Sequence, residues 1–193
     1  MLLAMTSLSM TESKIKIIEK QYARRDILGY RSPYKDPFEY RPITSVEMDE
    51  VYSLIAKAPF FDVIPGTDPL SQTQIEFDIL VEFAGSAYAP EHWLIAFKDG
   101  NPVGYVLPQR YWDVPEEGSI FALGVIPELQ GRGYGKIIHS KGLEVLAQLG
   151  MASYVGSTET KNPAMIAIFL ANDCKLSKIH RIEVDERGLQ RII

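Results

Sequence analysis

The sequence predicts a mixed α/β domain of the α+β kind, with a mostly antiparallel sheet, a central parallel pair of strands and flanking helices. Three observations point there. The apolar runs Trp93–Phe97 and Val103–Leu107 flank Lys98-Asp99-Gly100-Asn101, and an Asp-Gly pair between two such runs is a strong hairpin signal. A strand over 119–125, a glycine-rich loop and a helix over 136–149 lead to a further strand over 152–157, and a helical crossover of that kind makes its two strands parallel. Ahead of the hairpin, Val51, Leu54, Ile55 and Ala58, and then Ile75, Ile79, Phe83 and Ala87, recur at helical intervals.

Composition bounds the rest. A chain of 193 residues favours one domain with a sizeable core, and 46% hydrophobic with 23% charged residues excludes disordered and fibrous classes. The formal charge of -5 leaves no broad basic surface, so nucleic acid is not an expected partner and any anionic ligand must be held locally. The single cysteine, Cys174, excludes an intramolecular disulfide, fits a reducing compartment and reads first as a small apolar residue, with a reactive thiol as the alternative. Met1–Met5 is a poor signal peptide, lacking a basic region and a cleavage pattern. No stretch approaches the roughly 20 apolar residues of a membrane span, so a cytoplasmic protein with no membrane partner is expected.

The elements follow from local signals. Ser13 to Ile27 mixes charge with Ile15, Ile17 and Ile18, and Arg31 to Pro42 is rich in proline and aromatics. Residues 1–38 are therefore expected as an N-terminal extension, a strand and a loop packed on the domain of residues 39–193. Thr44-Ser45-Val46-Glu47 has capping-box spacing and opens a helix to about Ala58. Pro59, Pro65, Gly66 and Pro69 break the chain before a second helix that ends near Ser86 with Ile75, Ile79, Phe83 and Ala87 on one face. Pro127 stops the third strand because proline cannot donate to the ladder, and Gly150 terminates the following helix. Asn162 is an N-cap with Pro163 at the first helical position, for a short helix to about Ala171. Leu176 to Val184 alternates and reads as a closing strand at the sheet edge.

Gly131, Gly133 and Gly135, immediately before a helix, offer clustered backbone N–H groups at the positive end of the helix dipole, a geometry that suits a pyrophosphate. Arg132 and Lys136 add charge, which lets a net acidic protein hold a polyanion. A Walker loop fails on spacing, and a dinucleotide fingerprint fails because Lys136 stands where its third glycine belongs.

Ser119 to Gly135, with Gln130-Gly131-Arg132-Gly133-Tyr134-Gly135 at its end, resembles the strand and loop of the GCN5-related N-acetyltransferase (GNAT) family, and Thr158 to Met165 looks like that family's segment bordering the pantetheine arm. The resemblance implies a sheet splayed between strands 119–125 and 152–157, with acetyl-coenzyme A wedged in the gap. It implies that Leu123, Gly124 and Val125 pair with pantetheine and that Gln130 to Gly135, with Lys136, hold the pyrophosphate. It also implies that Asn162, Met165 and Phe169 border the coenzyme, and that the Val125 N–H holds the oxyanion.

Amine attack on a thioester needs a neutral amine, so a carboxylate near the start of strand 119–125 is sought as base: Glu117 first, Glu116 second, with a solvated acidic loop 113–117 as the structural alternative. Many family members carry a proton-donating tyrosine where this chain has Phe169, which cannot donate; a thiol of pKa about 8.5 is nevertheless a fair leaving group. His92, His139 and His180 are isolated and no spacing suggests a metal. His139 is expected on the surface, and His92, just before a strand, reads first as a structural residue, with a place at an acceptor site as the lesser alternative. Tyr34, Phe38, Tyr40, Phe60, Phe61, Tyr111 and Trp112 fall in segments the family uses for acceptors and read mostly as core or loop anchors. The expected activity is transfer of acetyl from acetyl-CoA to an amine of a small molecule, amino acid or peptide, with no metal and with a homodimer allowed. The second reading is a noncatalytic acyl-CoA-binding domain.

Overall fold

The computed structural model describes residues 16–111, 114–184 and 190–193. Its strands are β1 (Lys16–Asp26), β2 (Glu39–Pro42), β3 (Leu94–Lys98), β4 (Asn101–Arg110), β5 (Glu117–Val125), β6 (Ser153–Glu159), β7 (Lys175–Leu176), β8 (His180–Val184) and β9 (Gln190–Ile192). Its α-helices are α1 (Met48–Lys57), α2 (Pro69–Ala84), α3 (Tyr134–Gln148) and α4 (Pro163–Ala171). The strands form one sheet in the order β2-β3-β4-β5-β6-β1-β8-β9, with β7 also on β1. Every described pairing is antiparallel except β5 with β6.

Asp99 and Gly100 both take positive φ, 51° and 79°, as a two-residue primed turn requires, and this closes the β3–β4 hairpin. Between β4 and β5 the register slips: Val106 faces Leu123 but Pro108 faces Ile120, so Leu107 stands opposite both Phe121 and Ala122. This bulge falls beside a proline that cannot donate to the ladder, and it reverses which residues of β5 point to which face. Before it, Gly118 and Ile120 meet α3; after it, Leu123 and Val125 do. The parallel β5–β6 pair holds only at Glu117–Ser153 and Gly118–Tyr154. Beyond those pairs the two strands part, while β6 stays bonded to β1 from Ser153 to Glu159.

The two faces are covered separately. On one, Val51, Leu54 and Ile55 of α1 and Phe77 of α2 pack on Trp93, Ile95, Tyr105 and Leu107. On the other, Ile138 and Val145 of α3 pack on Ala96, Val103 and Val106, and Leu143 and Leu146 join Phe169 of α4, Tyr154 and Ala23. Among the described residues no helix is long and apolar enough to cross a membrane.

Several expectations are corrected. The strand of the N-terminal segment does not lie on the domain: β1 sits inside the sheet, bonded to β6 on one edge and to β7 and β8 on the other. The capping box does not form, because Thr44 lies in a 3-10 turn (Ile43–Ser45) and Glu47, which would have been its third helical residue, is itself the N-cap of α1, which starts only at Met48 with no side-chain cap bond. On α2 the face of Ile75, Ile79 and Phe83 is exposed at 61%, 51% and 64%, and Gln72, Thr73, Phe77 and Ala84 face inward instead. Gln72 tolerates burial because its amide donates to the Asp62 carbonyl at 3.0 Å and accepts from the Ile64 N–H at 3.1 Å. The closing strand is broken at 177–179 into β7 and β8, and β9 pairs outside β8, so β8 is not the edge. Met1–Met5, Ile15, Trp112 and Asp113 lie outside the described residues.

Candidate functional site

The loop after β5 is held by its own side chains. The Ile126 N–H donates to the Val103 carbonyl at 3.1 Å, a 3-10 turn spans Pro127–Leu129, and Gln130 Nε2 donates to the Val125 carbonyl at 2.9 Å. Gly131 and Gly133 then take left-handed φ of 73° and 78°. Two such turns in sequence aim successive N–H groups the same way. α3 begins at Tyr134, two residues earlier than expected, so Tyr134, Gly135 and Lys136 form its first turn. Those N–H groups have no intrahelical acceptor, and none from 131 to 136 has another backbone acceptor among the described residues. Gly135 serves packing instead: a Cβ there would meet Ile168 Cδ1 of α4 at 2.7 Å.

Backbone direction in β5 follows from one bond. Because Ile126 N–H points to β4, alternation turns the N–H groups of Leu123 and Val125 the other way, toward the gap that β6 leaves open. On the far side of the gap α4 presents its N-terminus, with Asn162 Oδ1 accepting from the Met165 N–H at 3.0 Å. A cavity of about 700 Å³ fills the outer gap, lined by residues 123–125, Gln130, Gly131 and 133–136 on one side and by Asn162 and Met165 on the other. Lys57 and Lys136 bring positive charge to it. Lys98 Nζ donates to the Tyr134 hydroxyl at 2.8 Å, and that bond holds the phenol below its ordinary pKa.

A second cavity of about 490 Å³ continues inward and shares Pro59, Leu123, Asn162 and Met165 with the first. Phe60, Phe61, Phe121, Tyr154 and Phe169 give it aromatic walls. Its rim is charged: Lys161 Nζ lies 3.3 Å from both Asp62 and Glu159, and Lys16 lies 3.4 Å from Asp62. The Lys161 hydrogen bond holds the Asp62 carboxyl below its usual range. Lys20 lines the same cavity, and burial lowers its ammonium pKa.

The expected site residues divide. Leu123, Gly124, Val125, Gln130, Gly131, Gly133, Tyr134, Gly135, Lys136, Asn162 and Met165 all line the outer cavity. Arg132 does not, and its guanidinium reaches the Glu128 carbonyl at 3.5 Å. Phe169 lies at the inner cavity, 1% exposed, rather than along the outer one. Glu117 is not brought to the gap. It stands six residues and about 20 Å along the strand from Leu123, bonded to Arg24 at 3.3 Å, in a separate cavity of about 350 Å³ that shares only Phe121 with the inner one. Glu116 takes φ of 65°, and its carbonyl accepts the N–H groups of Ala152 and Ser153 at 2.8 and 3.0 Å, so it shapes the turn. His92 lies beside Glu91 in another cavity, against Gln109 and Leu149.

His139 is corrected outright. It is fully buried, its Nε2 lies 3.1 Å from the Tyr154 hydroxyl, and desolvation holds its pKa down to about 3. Cys174 is buried, and burial pushes its thiol up to about 11. Sequence reasoning missed Tyr154, Asp62 and Glu159. Period-two alternation along β6 brings Tyr154 and Thr158 to one face, but nothing local marks the others. Among the described residues no cluster of three or more His, Cys, Asp or Glu side chains is placed to hold a metal.

The acetyltransferase (GNAT) family model matches residues 48–172. A mycothiol acetyltransferase from Sanguibacter keddieii is 30% identical over 127 residues, covering 64% of this chain and 39% of that protein. One from Kocuria rhizophila is 35% identical over 105 residues, covering 51% and 35%. The chain thus spans well under half the length of these curated relatives. Among solved structures, a GCN5-related N-acetyltransferase from Sphaerobacter thermophilus superposes with a TM-score of 0.63 at 15% identity, over 92% of this chain and 53% of that one, which shows a shared fold.

Proposed function

The chain belongs to the GNAT acetyltransferase family, and from that premise we propose that it transfers an acetyl group from acetyl-CoA to a primary amine in the gap between β5 and β6. The observation that carries the reading is the continuity of that gap: unpaired N–H groups of 131–136 at its outer end, the freed edge of β5 along it, and a cavity of about 490 Å³ at its inner end. The name shared by the relatives, mycothiol acetyltransferase, supports acetyl as the group transferred.

In this reading the N–H groups of Gly131 to Lys136 hold the pyrophosphate, and Lys136 offsets its charge. Leu123 and Val125 offer N–H groups to the pantetheine arm and the thioester carbonyl, and Val125 steadies the oxyanion as the amine attacks. Asn162 caps α4 with Oδ1, which leaves its Nδ2 for the arm. The inner cavity receives the acceptor, whose ammonium must lose a proton before attack. Glu159 stands in that cavity, whereas Glu117 lines a separate one that shares only Phe121 with it. We therefore rank Glu159 ahead of Glu117 and Glu116 as base.

A noncatalytic acyl-CoA-binding domain is the second reading, favoured by Phe169, which gives the departing thiol no proton. The test has two stages. Acetyl-CoA at 100 times its dissociation constant is expected to stabilise the protein by about 2.7 kcal/mol; no shift at saturation refutes both readings. Free-thiol release across a panel of amino acids, polyamines and peptide N-termini then separates enzyme from binder.

A further inference from the structure

The apex of the gap is closed by two buried groups that no step above uses. Tyr154, at the last paired position of the parallel strands, is 1% exposed and lines the inner cavity; His139 of α3 is 0% exposed. Their rings meet edge-on at 5.3 Å with His139 Nε2 3.1 Å from the Tyr154 oxygen, and Phe169 packs against both. The hydroxyl lies over Gly156, where any Cβ would displace it.

The hydrogens of this pair can be assigned by elimination. His139 Nδ1 is buried and has no hydrogen-bond partner among the described residues. If Nδ1 carried the proton, a ring N–H would be orphaned in the core, the costlier kind of buried unsatisfied group. The proton therefore sits on Nε2, which donates to the Tyr154 oxygen. The phenolic hydrogen is then free to turn; Tyr154 lines the inner cavity and also a smaller one beside Arg25 and Asp173, and of the two only the inner cavity shares lining residues with the outer cavity.

We propose that Tyr154, held by the N–H of His139, donates a hydrogen bond to the sulfur of the departing thiol. The inference rests on the acyl-transfer reading above. As the C–N bond forms and the C–S bond breaks, the sulfur takes the bonding electron pair. The phenol shares its hydrogen with that anion and keeps it, the amine's proton goes to a carboxylate or water, and the coenzyme leaves as the thiolate. Burial raises the Tyr154 pKa well above ordinary and holds His139 near 3, so both stay neutral through the working range. Phe169, whose ring centre is 6.5 Å from that of Tyr154, takes no part beyond packing.

The test follows the thiol of bound coenzyme A by its ultraviolet thiolate absorbance as pH is raised, in the wild-type protein and in Tyr154→Phe. Lys20, Asp62, Glu159 and Lys161 line the cavity in both proteins, so the difference reports the hydroxyl. The thiol is expected to titrate about one unit lower in wild type than in Y154F, with kcat about tenfold lower in the variant and KM for acetyl-CoA within about threefold. His139→Leu is expected to move the thiol in the same direction, while His139→Gln, which offers an amide N–H, retains the wild-type value; melting curves check each fold. An unmoved thiol pKa in Y154F overturns the proposal. So does weakened acetyl-CoA binding with an unmoved thiol, which would assign the hydroxyl to the thioester carbonyl. Wild-type protein that binds no coenzyme A overturns the acyl-transfer reading itself, and that outcome is seen before any substitution is made.

Discussion

Gly133→Ala adds one methyl at the turn that aims the loop's N–H groups, where φ is 78° and ψ is 7°. The only neighbour that methyl meets is Lys136 Cε at 3.5 Å, an ordinary contact, so the cost is conformational rather than steric. An L-residue in the left-handed region costs about 1–2 kcal/mol, and loss of glycine's freedom in the unfolded chain returns about 0.4–1 kcal/mol. The net, about 1 kcal/mol, corresponds to roughly 2–4 °C in Tm for a domain of this size. Relief of that strain by a shift in φ turns the N–H groups of 133 and 134 off their common target, and the loss of one charge-assisted bond to phosphate is about tenfold in Kd. Gly150→Ala is the control: φ is 81°, nothing lies within 4 Å, and the residue follows the far end of α3. Scanning calorimetry and titration calorimetry with coenzyme A read the two effects. G150A is expected to lower Tm alone, and G133A to lower both Tm and affinity. Equal affinities in the two variants would refute the assignment of the loop.

Asn162→Ala removes the cap on Met165 N–H, so about 1 kcal/mol of stability should be lost in a denaturant titration, together with weaker coenzyme binding. Glu159→Gln is expected to depress kcat/KM on its alkaline plateau more than Glu117→Gln does; the reverse order in pH–rate profiles would return the base to Glu117. His139 has a folded pKa near 3 against about 6.5 unfolded, so its stabilisation is present above pH 6.5 and is lost as pH falls through the window between those values. About 2 kcal/mol should be gone by pH 5, and acid melts of His139→Gln should lack that component.

How far the sequence reaches depends on whether the cause is local. The hairpin was legible because φ > 0 at Asp99 and Gly100 is a property of those residues. The loop and the Asn162–Pro163 start of α4 were legible for the same kind of reason. The face of α2 was not, because what it buries is decided by the loop at 62–64, whose backbone Gln72 satisfies, and because Phe83 leans on Phe121 at 5.4 Å instead of entering the core. His139 was misjudged because its partner Tyr154 comes not from its own helix but from β6. The bulge opposite Leu107, which sets which side chains of β5 face the gap, has no signature in β5 itself.

The most direct test of the central claim is a structure of the protein with coenzyme A bound. The pantetheine arm is predicted to lie between residues 123–125 and the start of α4, with the pyrophosphate over 131–136 and the sulfur beside Tyr154. A coenzyme bound elsewhere, or β5 and β6 paired beyond Gly118, would contradict it.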